Sequence, residues 1–393
     1  MEPIIIVGTG LAGYSVASEY RKLDPSRAIV IISKDDGSQY AKPMLSAAIA
    51  QRQTAQQLIK ATASEMAIKL NAQLITDDEV IAIDPLIKQI RTTNRTLTYG
   101  ELVLAVGADP VACPVTGTAA EEVMSVNDIT DYSRLRSKLN NATSVLIVGA
   151  GLIGCEFAND LLHGGITPTV VDPNEYPLAS LAPKAIGKAL EESLKAAGVR
   201  WKLKNKVQHI EKAGLRYSVT LLDHVVIEVD AVISAVGLRP RLTLAKRSGI
   251  ATRQGILVDG YGQTCIPGIF ALGDCAQYAD GRLLPFVRPT LIAARAIAAT
   301  LAGTLTRIDF PNMPIIVKTP AHPVAVLPPR SAVSGSWLHH RENELEQWLF
   351  KDADCRLHGF AVSGSAAKTH PVLTRMIGNK HPDGPISSLY SDK

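Results

Sequence analysis

Along the chain, short runs of β-branched and aliphatic residues alternate with longer stretches whose apolar positions recur at helical spacing. Ile4-Ile5-Ile6-Val7 is apolar at every position, as a strand covered on both faces should be. It runs into Gly8-Thr9-Gly10-Leu11-Ala12-Gly13 and then a helical stretch. A second copy of the pattern starts at Val145, with Val145-Leu146-Ile147-Val148 leading into Gly149-Ala150-Gly151-Leu152-Ile153-Gly154. Each copy is followed by another apolar run, Ala28-Ile29-Val30-Ile31-Ile32 and Thr169-Val170-Val171-Asp172. Two strand–turn–helix–strand units of this kind predict parallel sheets with helical crossovers. Thr98 to Ala108 reads as an apolar strand ending in a tight glycine turn. Ile256-Leu257-Val258-Asp259 and Thr264 to Asp274 read as a strand pair closing on Gly273-Asp274. Six prolines between Pro311 and Pro329 open the tail. Gln347 to Phe350 and Arg356 to Val362, separated by Lys351-Asp352-Ala353-Asp354, then predict a β-hairpin with an Asp-containing turn.

Composition narrows the class. The chain has 393 residues, 46% hydrophobic and 20% charged, with 29 Gly and 23 Pro, which excludes a disordered or fibrous protein. That length accommodates two or three domains with their own cores. No apolar stretch approaches the roughly 18 uninterrupted residues a bilayer requires. The best, Leu291 to Leu305, is interrupted by Arg295. Met1-Glu2-Pro3 runs straight into the first strand without the basic start of a signal peptide. The 5 cysteines form no tight pair, an odd and sparse set that fits a reducing cytoplasm. None sits at zinc-like spacing with the histidines, so no metal site is expected. A net charge of +4 is too small and dispersed for a nucleic-acid binder, and points at most to an acidic protein partner.

The glycines carry the chemistry. In each turn the first permits a tight reversal, the second lets the backbone approach a pyrophosphate, and the third lets helix and strand pack closely. The helix N-terminus presents free amides and a positive dipole end to the anion. Gly8, Gly10, Leu11, Ala12 and Gly13 are therefore one set of candidate dinucleotide contacts, and Gly149, Gly151, Leu152, Ile153 and Gly154 the other. Asp172 ends the second strand of the second unit, where a carboxylate accepts ribose hydroxyls and repels a 2′-phosphate. No Arg or Lys follows closely in Asp172-Pro173-Asn174-Glu175-Tyr176, so the second site reads as NAD rather than NADP. In the first unit Ser33 occupies the matching strand end and Asp35 follows, and the pattern leaves open which holds the ribose.

The order GxGxxG, Ala105-x-Gly107, GxGxxG and Phe270-Ala271-Leu272-Gly273-Asp274 resembles the two-dinucleotide flavoprotein reductases of the glutathione reductase type, over residues 1 to about 310. The resemblance implies an α/β fold of two Rossmann-like dinucleotide-binding domains plus a small C-terminal α+β domain. It divides the chain into a discontinuous FAD-binding domain (1–110 and 239–310), an NAD-binding domain (111–238) and a C-terminal domain (311–393). It implies FAD in the first site, with Asp274 on the ribityl chain, and NADH in the second, where Gly237 is a further contact.

Tyr40-Ala41-Lys42-Pro43-Met44-Leu45-Ser46 stands where disulfide reductases of this type carry redox cysteines, and it contains none. Without a thiolate relay, electrons must leave the flavin directly to an external acceptor. Cys155, next to Gly154, reads as a helix-packing residue. The stretch is similar to that of rubredoxin–NAD reductases, as are Asp35-Asp36-Gly37 and Val317-Lys318-Thr319-Pro320. In that group Lys42, Pro43 and Lys318 are implied at the flavin, the lysines as cations stabilising its reduced form. Glu156 is implied beside the nicotinamide or paired with such a lysine. Lys42, Glu156 and Lys318 are thus the candidate catalytic residues. The acceptor implied is rubredoxin in an alkane hydroxylase system. The alternatives are a ferredoxin reductase of an oxygenase or nitrite-reducing system, and a slow-turnover flavin sensor of NADH. Arg288 is a candidate docking residue, whereas Arg200-Trp201-Lys202-Leu203-Lys204-Asn205-Lys206 reads as the solvated face of a strand. A tail shorter than the dimerisation domain of glutathione reductase favours a monomer.

Overall fold

A computed structural model of the chain describes residues 2–330, 332–342 and 345–380, so residues 381–393 of the expected C-terminal domain lie outside the described residues. Two compact units form. One takes the chain up to Lys42, Ala55–Val111 and Leu238–Pro311; the other takes Pro43–Thr54, Ala112–Gly237 and the described chain from Asn312.

In the first unit the apolar runs become a parallel sheet in the order Ile269–Ala271, Glu101–Leu104, Ile4–Val7, Ile29–Ile32, Gln73–Ile75. Every residue of Ile4–Val7 is buried, which explains a run with no polar alternation. The helix Leu11–Leu23 packs along the helix Val287–Leu301, in which alanines 293, 294, 296 and 298 are buried. Among the described residues no helix is long and apolar enough to cross a membrane. The expected pairing around residues 256–274 is not what forms. Ile256–Leu257 pairs with Ala276–Gln277, and Ile269–Ala271 joins the edge of the main sheet instead. The Asp259 carboxylate accepts the N–H groups of Tyr261 and Gln263, both at 2.9 Å, and so turns the chain away before the two runs can align. The chain leaves and re-enters this unit through Ala108–Pro110, paired antiparallel with Leu238–Pro240. Arg241 braces that exit by donating to Asp109 at 2.6 Å and to the Val106 carbonyl at 2.9 Å.

The second unit repeats the theme with a parallel sheet in the order Arg200–Leu203, Thr167–Asp172, Ser144–Val148, Ala231–Ser234. Arg200–Leu203 is its edge strand, yet Trp201, Lys202 and Leu203 are all half-buried rather than alternating, because helix Lys184–Ala197 packs on that edge. The short segment Pro43–Thr54 is held here by hydrogen bonds. Asp160 accepts Ile49 N–H at 2.7 Å and Ala50 N–H at 3.2 Å, and the Tyr132 hydroxyl donates to the Gln53 carbonyl at 2.8 Å. The tail forms an antiparallel sheet in the order Ile315–Val317, Val324–Leu327, Leu357–Ser363, Leu345–Lys351, Ser336–Glu342. Its central hairpin turns on Asp352, which accepts the N–H groups of Asp354 and Arg356, both at 2.9 Å.

One carboxylate ties the second sheet together. Asp230 accepts the N–H groups of Thr143 and Ser144, both at 2.9 Å, the Ser144 hydroxyl at 2.8 Å and the Arg216 guanidinium at 3.0 Å. Partial burial alone would raise its carboxyl, but these hydrogen bonds outweigh that and bring it down to about 2. A depressed folded-state value contributes stability that is present above the unfolded value of about 4 and lost as pH falls through about 2. Asp230→Asn should therefore lower stability at neutral pH and flatten that part of the acid limb, read by denaturant titration at stepped pH.

Candidate functional site

The first glycine turn opens the first unit's sheet at its C-terminal edge. Gly8 has φ +115°, and its N–H donates to the Ile32 carbonyl at 2.8 Å. A Cβ there would strike the Ala105 carbonyl oxygen, and one on Gly13 would strike that of Gly8. Gly10, by contrast, faces open space and starts helix Leu11–Leu23 with no side chain capping it. The amides of Leu11 and Ala12 thus lie in a first turn with no side-chain cap, the arrangement that suits an anion. Gly273, φ +76°, comes close to the Ala12 side chain, since a Cβ on it would lie 3.0 Å from the Ala12 Cβ. The neighbouring Asp274 lies 3.7 Å from the Lys42 ammonium. Gly107, φ +71°, follows the buried Ala105.

At the strand end Ser33 and Asp35 belong to one hydrogen-bond cluster. Thr9 Oγ1 lies 2.7 Å from Ser33 Oγ and donates to Asp35 at 3.2 Å; the Ser33 hydroxyl and the Gly37 N–H also donate to Asp35. Sequence reasoning missed Thr9, although its place between the first two glycines marked it. A Cβ-free cradle, an uncapped helix and this hydroxyl–carboxylate cluster fit the diphosphate and ribose of a dinucleotide.

The second turn reproduces the first. Gly149 has φ +107° and donates to the Val171 carbonyl at 2.8 Å, and a Cβ on Gly154 would strike the Gly149 carbonyl oxygen. Gly151 faces open space and begins helix Leu152–His163 uncapped, so the amides of Leu152 and Ile153 fall in its first turn. Asp172 is buried against the turn, accepting Ala150 N–H at 2.7 Å and the Asn174 backbone and side-chain N–H groups at 2.7 and 2.8 Å. Gly237, φ +113°, lies where the chain leaves the unit.

One turn along that helix sits a buried polar centre. Glu156, 1% exposed, accepts the Ser46 hydroxyl at 2.6 Å and the Lys318 backbone N–H at 3.0 Å, and pairs with the Lys318 ammonium at 3.0 Å. The same ammonium donates to the Pro43 carbonyl and, at 3.3 Å, to Ser46. Pro43, Ser46, Glu156 and Lys318 therefore belong to the second unit, while Lys42 and Asp274 belong to the first. Asp160, one helical turn beyond Glu156, was also missed; its i+4 spacing puts it on the same face. Arg288 is exposed in the first turn of helix Val287–Leu301.

Residues 2–299 match the family described as pyridine nucleotide-disulphide oxidoreductase. The chain belongs to that family. Residues 307–377 match a second family, described as rubredoxin binding C-terminal domain. This pyridine nucleotide-disulphide oxidoreductase is 42% identical to the rubredoxin-NAD(+) reductase of Alcanivorax borkumensis, over 95% of this chain and 98% of that one. It is 38% identical to the rubredoxin-NAD(+) reductase of Acinetobacter baylyi, over 97% and 99%. Its fold matches the crystal structure of a ferredoxin reductase for the CYP199A2 system from Rhodopseudomonas palustris, with a TM-score of 0.85 and 24% identity over 95% of this chain and 94% of that chain.

The family's description names disulphide chemistry, but Tyr40–Ser46 holds no cysteine, the five cysteines form no close pair in sequence, and none is joined in a disulfide. Cys155 is fully buried and donates to the Ala150 carbonyl at 3.5 Å; burial drives its thiol far above the ordinary range. Burial likewise pushes Cys275 up to about 11. Only Cys265 and Cys355 are exposed. A maleimide reagent at neutral pH should label Cys265 and Cys355 in the native protein and leave Cys155 and Cys275 unmodified until denaturation, as peptide mass mapping would show.

Lys318 is the other test. Lys318→Met leaves the Glu156 carboxylate buried without its countercharge. Discounted for the partial exposure of the lysine, the expected loss is about 1–3 kcal/mol. Adding Glu156→Gln to Lys318→Met should recover most of that loss in thermal unfolding. A double variant no more stable than the single one would mean the pair is not coupled.

Proposed function

We propose that this chain is an NADH-dependent flavoprotein reductase that passes electrons singly to rubredoxin. The observation that carries the reading is the match of residues 307–377 to a rubredoxin binding C-terminal domain, behind two glycine cradles that each fit a dinucleotide. Relatives named rubredoxin-NAD(+) reductase that align over nearly the whole chain support it. The first cradle, with Ala105, Gly107, Gly273 and the Thr9–Ser33–Asp35 cluster, is assigned to FAD and the second to NADH. Bound FAD supplies the step from two-electron hydride acceptance to one-electron release.

The protein's own residues hold and orient. The uncapped first turns of Leu11–Leu23 and Leu152–His163 take the two diphosphates through backbone amides. Asp274 is assigned to the ribityl hydroxyls, with its charge offset by Lys42 at 3.7 Å. Lys318 is assigned as the cation that favours the reduced, anionic form of the flavin. Its ammonium is already fixed by Glu156, Ser46 and the Pro43 carbonyl, so little side-chain freedom remains to be lost on reaction. Glu156 thereby acts on the reaction through Lys318. The lack of any cysteine in Tyr40–Ser46 fits direct release to an external acceptor, and a cytoplasmic setting is part of the proposal. Supply of an alkane hydroxylase by the reduced rubredoxin is part of the proposal.

The test is reoxidation of the NADH-reduced protein by rubredoxin and by a ferredoxin under anaerobic conditions. Rubredoxin should react faster than ferredoxin and lose on the order of tenfold in rate between low and high salt, as steered encounters do. Faster reaction with ferredoxin would move the assignment to an oxygenase or nitrite-reducing system. A reduced flavin that persists with both acceptors would leave the sensor reading.

A further inference from the structure

Beyond Asp172 the chain turns back over the edge of the second unit's sheet. Lys204 N–H donates to the Asn174 carbonyl at 2.9 Å, and Asn205 N–H to the Asp172 carbonyl at 3.1 Å. This backbone pairing carries the Lys204 side chain to Glu175, with its ammonium 3.4 Å from Oε1. Lys184, the first residue of helix Lys184–Ala197, reaches the same oxygen at 2.8 Å. A single carboxylate oxygen therefore holds two ammonium groups beside the residue that ends the nucleotide-binding strand. The primary sequence shows no cation directly after Asp172; the fold brings two there.

Asp172 itself is engaged with the turn through Ala150 and Asn174, so its carboxylate is held in place there. The Glu175 pairs lie on a partly exposed rim, where ion pairs add little to stability, about 0–1 kcal/mol. Their chemical consequence is larger. Two converging ammonium groups form the arrangement that receives a phosphate monoester, and here the place is taken by the protein's own anion.

We infer that Glu175 is a specificity-determining residue of the second dinucleotide site. By occupying Lys184 and Lys204 it denies them to a 2′-phosphate on the adenosine ribose, so that NADH is favoured over NADPH by Glu175 as well as by Asp172. The inference rests on the reading that the second glycine turn binds a nicotinamide dinucleotide.

Calorimetric titration of the intact, FAD-loaded protein with 5′-AMP and with 2′,5′-ADP tests it without reliance on turnover. Glu175→Gln should bind 2′,5′-ADP on the order of tenfold more tightly than the unsubstituted protein while its affinity for 5′-AMP stays the same. The gain should fade at high salt and vanish when Lys184→Gln and Lys204→Gln are added. The inference is overturned if Glu175→Gln binds 2′,5′-ADP no better, or if the gain survives loss of both lysines. Should the unsubstituted protein bind neither 5′-AMP nor NADH, the dinucleotide reading of the turn falls first, and the specificity argument with it.

Discussion

In both units the helix that follows the first strand lies so close to its glycine turn that one added methyl group would collide with a carbonyl oxygen, that of Gly8 for Gly13 and that of Gly149 for Gly154. This contact fixes the helix axis against the sheet and aims the helix start past the ends of the parallel strands. Because the residue at the start is glycine, no side chain closes the first turn, and its amides stay free for an anion. The architecture of the two binding sites follows from that single steric condition applied twice. Gly10 and Gly151, at the two helix starts, leave the space in front of those turns free of any side chain.

The second unit adds a constraint the first lacks. Its first helix carries Glu156, Asn159 and Asp160 on one face, and all three are buried. Each reaches a segment distant in sequence. Glu156 takes Ser46 and Lys318, Asn159 accepts Ala321 N–H at 3.4 Å, and Asp160 takes Ile49 and Ala50. Buried carboxylates are costly unless fully satisfied, and these are met by backbone amides, a hydroxyl and an ammonium. The helix that begins uncapped at Gly151 is therefore also the element whose Glu156 holds the Lys318 ammonium.

Much of this could be read from residue order, and the reasons differ by element. Ile4–Val7 and Val145–Val148 were legible because strands buried on both faces need no alternation, and the glycine spacing after them is dictated by sterics. The hairpin between Leu345–Lys351 and Leu357–Ser363 was legible because Asp352 turns it locally. What was not legible depends on pairing across long separations. Thr9 acquires its partners only when two strand ends align, and Asp160 only when the segment after Pro43 folds back onto its helix. The run at Ile256 has the pattern of a partner for residues 264–274, but the local Asp259 turn prevails over simple hydrophobic pattern. The cations at Glu175 escaped notice for the same reason, since parallel strand register rather than sequence proximity delivers Lys204.

The central claim is that electrons pass from NADH through one flavin to rubredoxin with no thiol between. The most direct measurement is an anaerobic electron count. The purified, FAD-loaded protein is mixed with a limiting amount of NADH and excess oxidised rubredoxin, with the cysteines alkylated in a parallel sample. The account predicts about two rubredoxins reduced per NADH, as one-electron acceptance of a hydride pair requires, in both samples alike. Recovery of no electrons in rubredoxin while the flavin is reduced, or transfer abolished by alkylating the exposed cysteines, would contradict it.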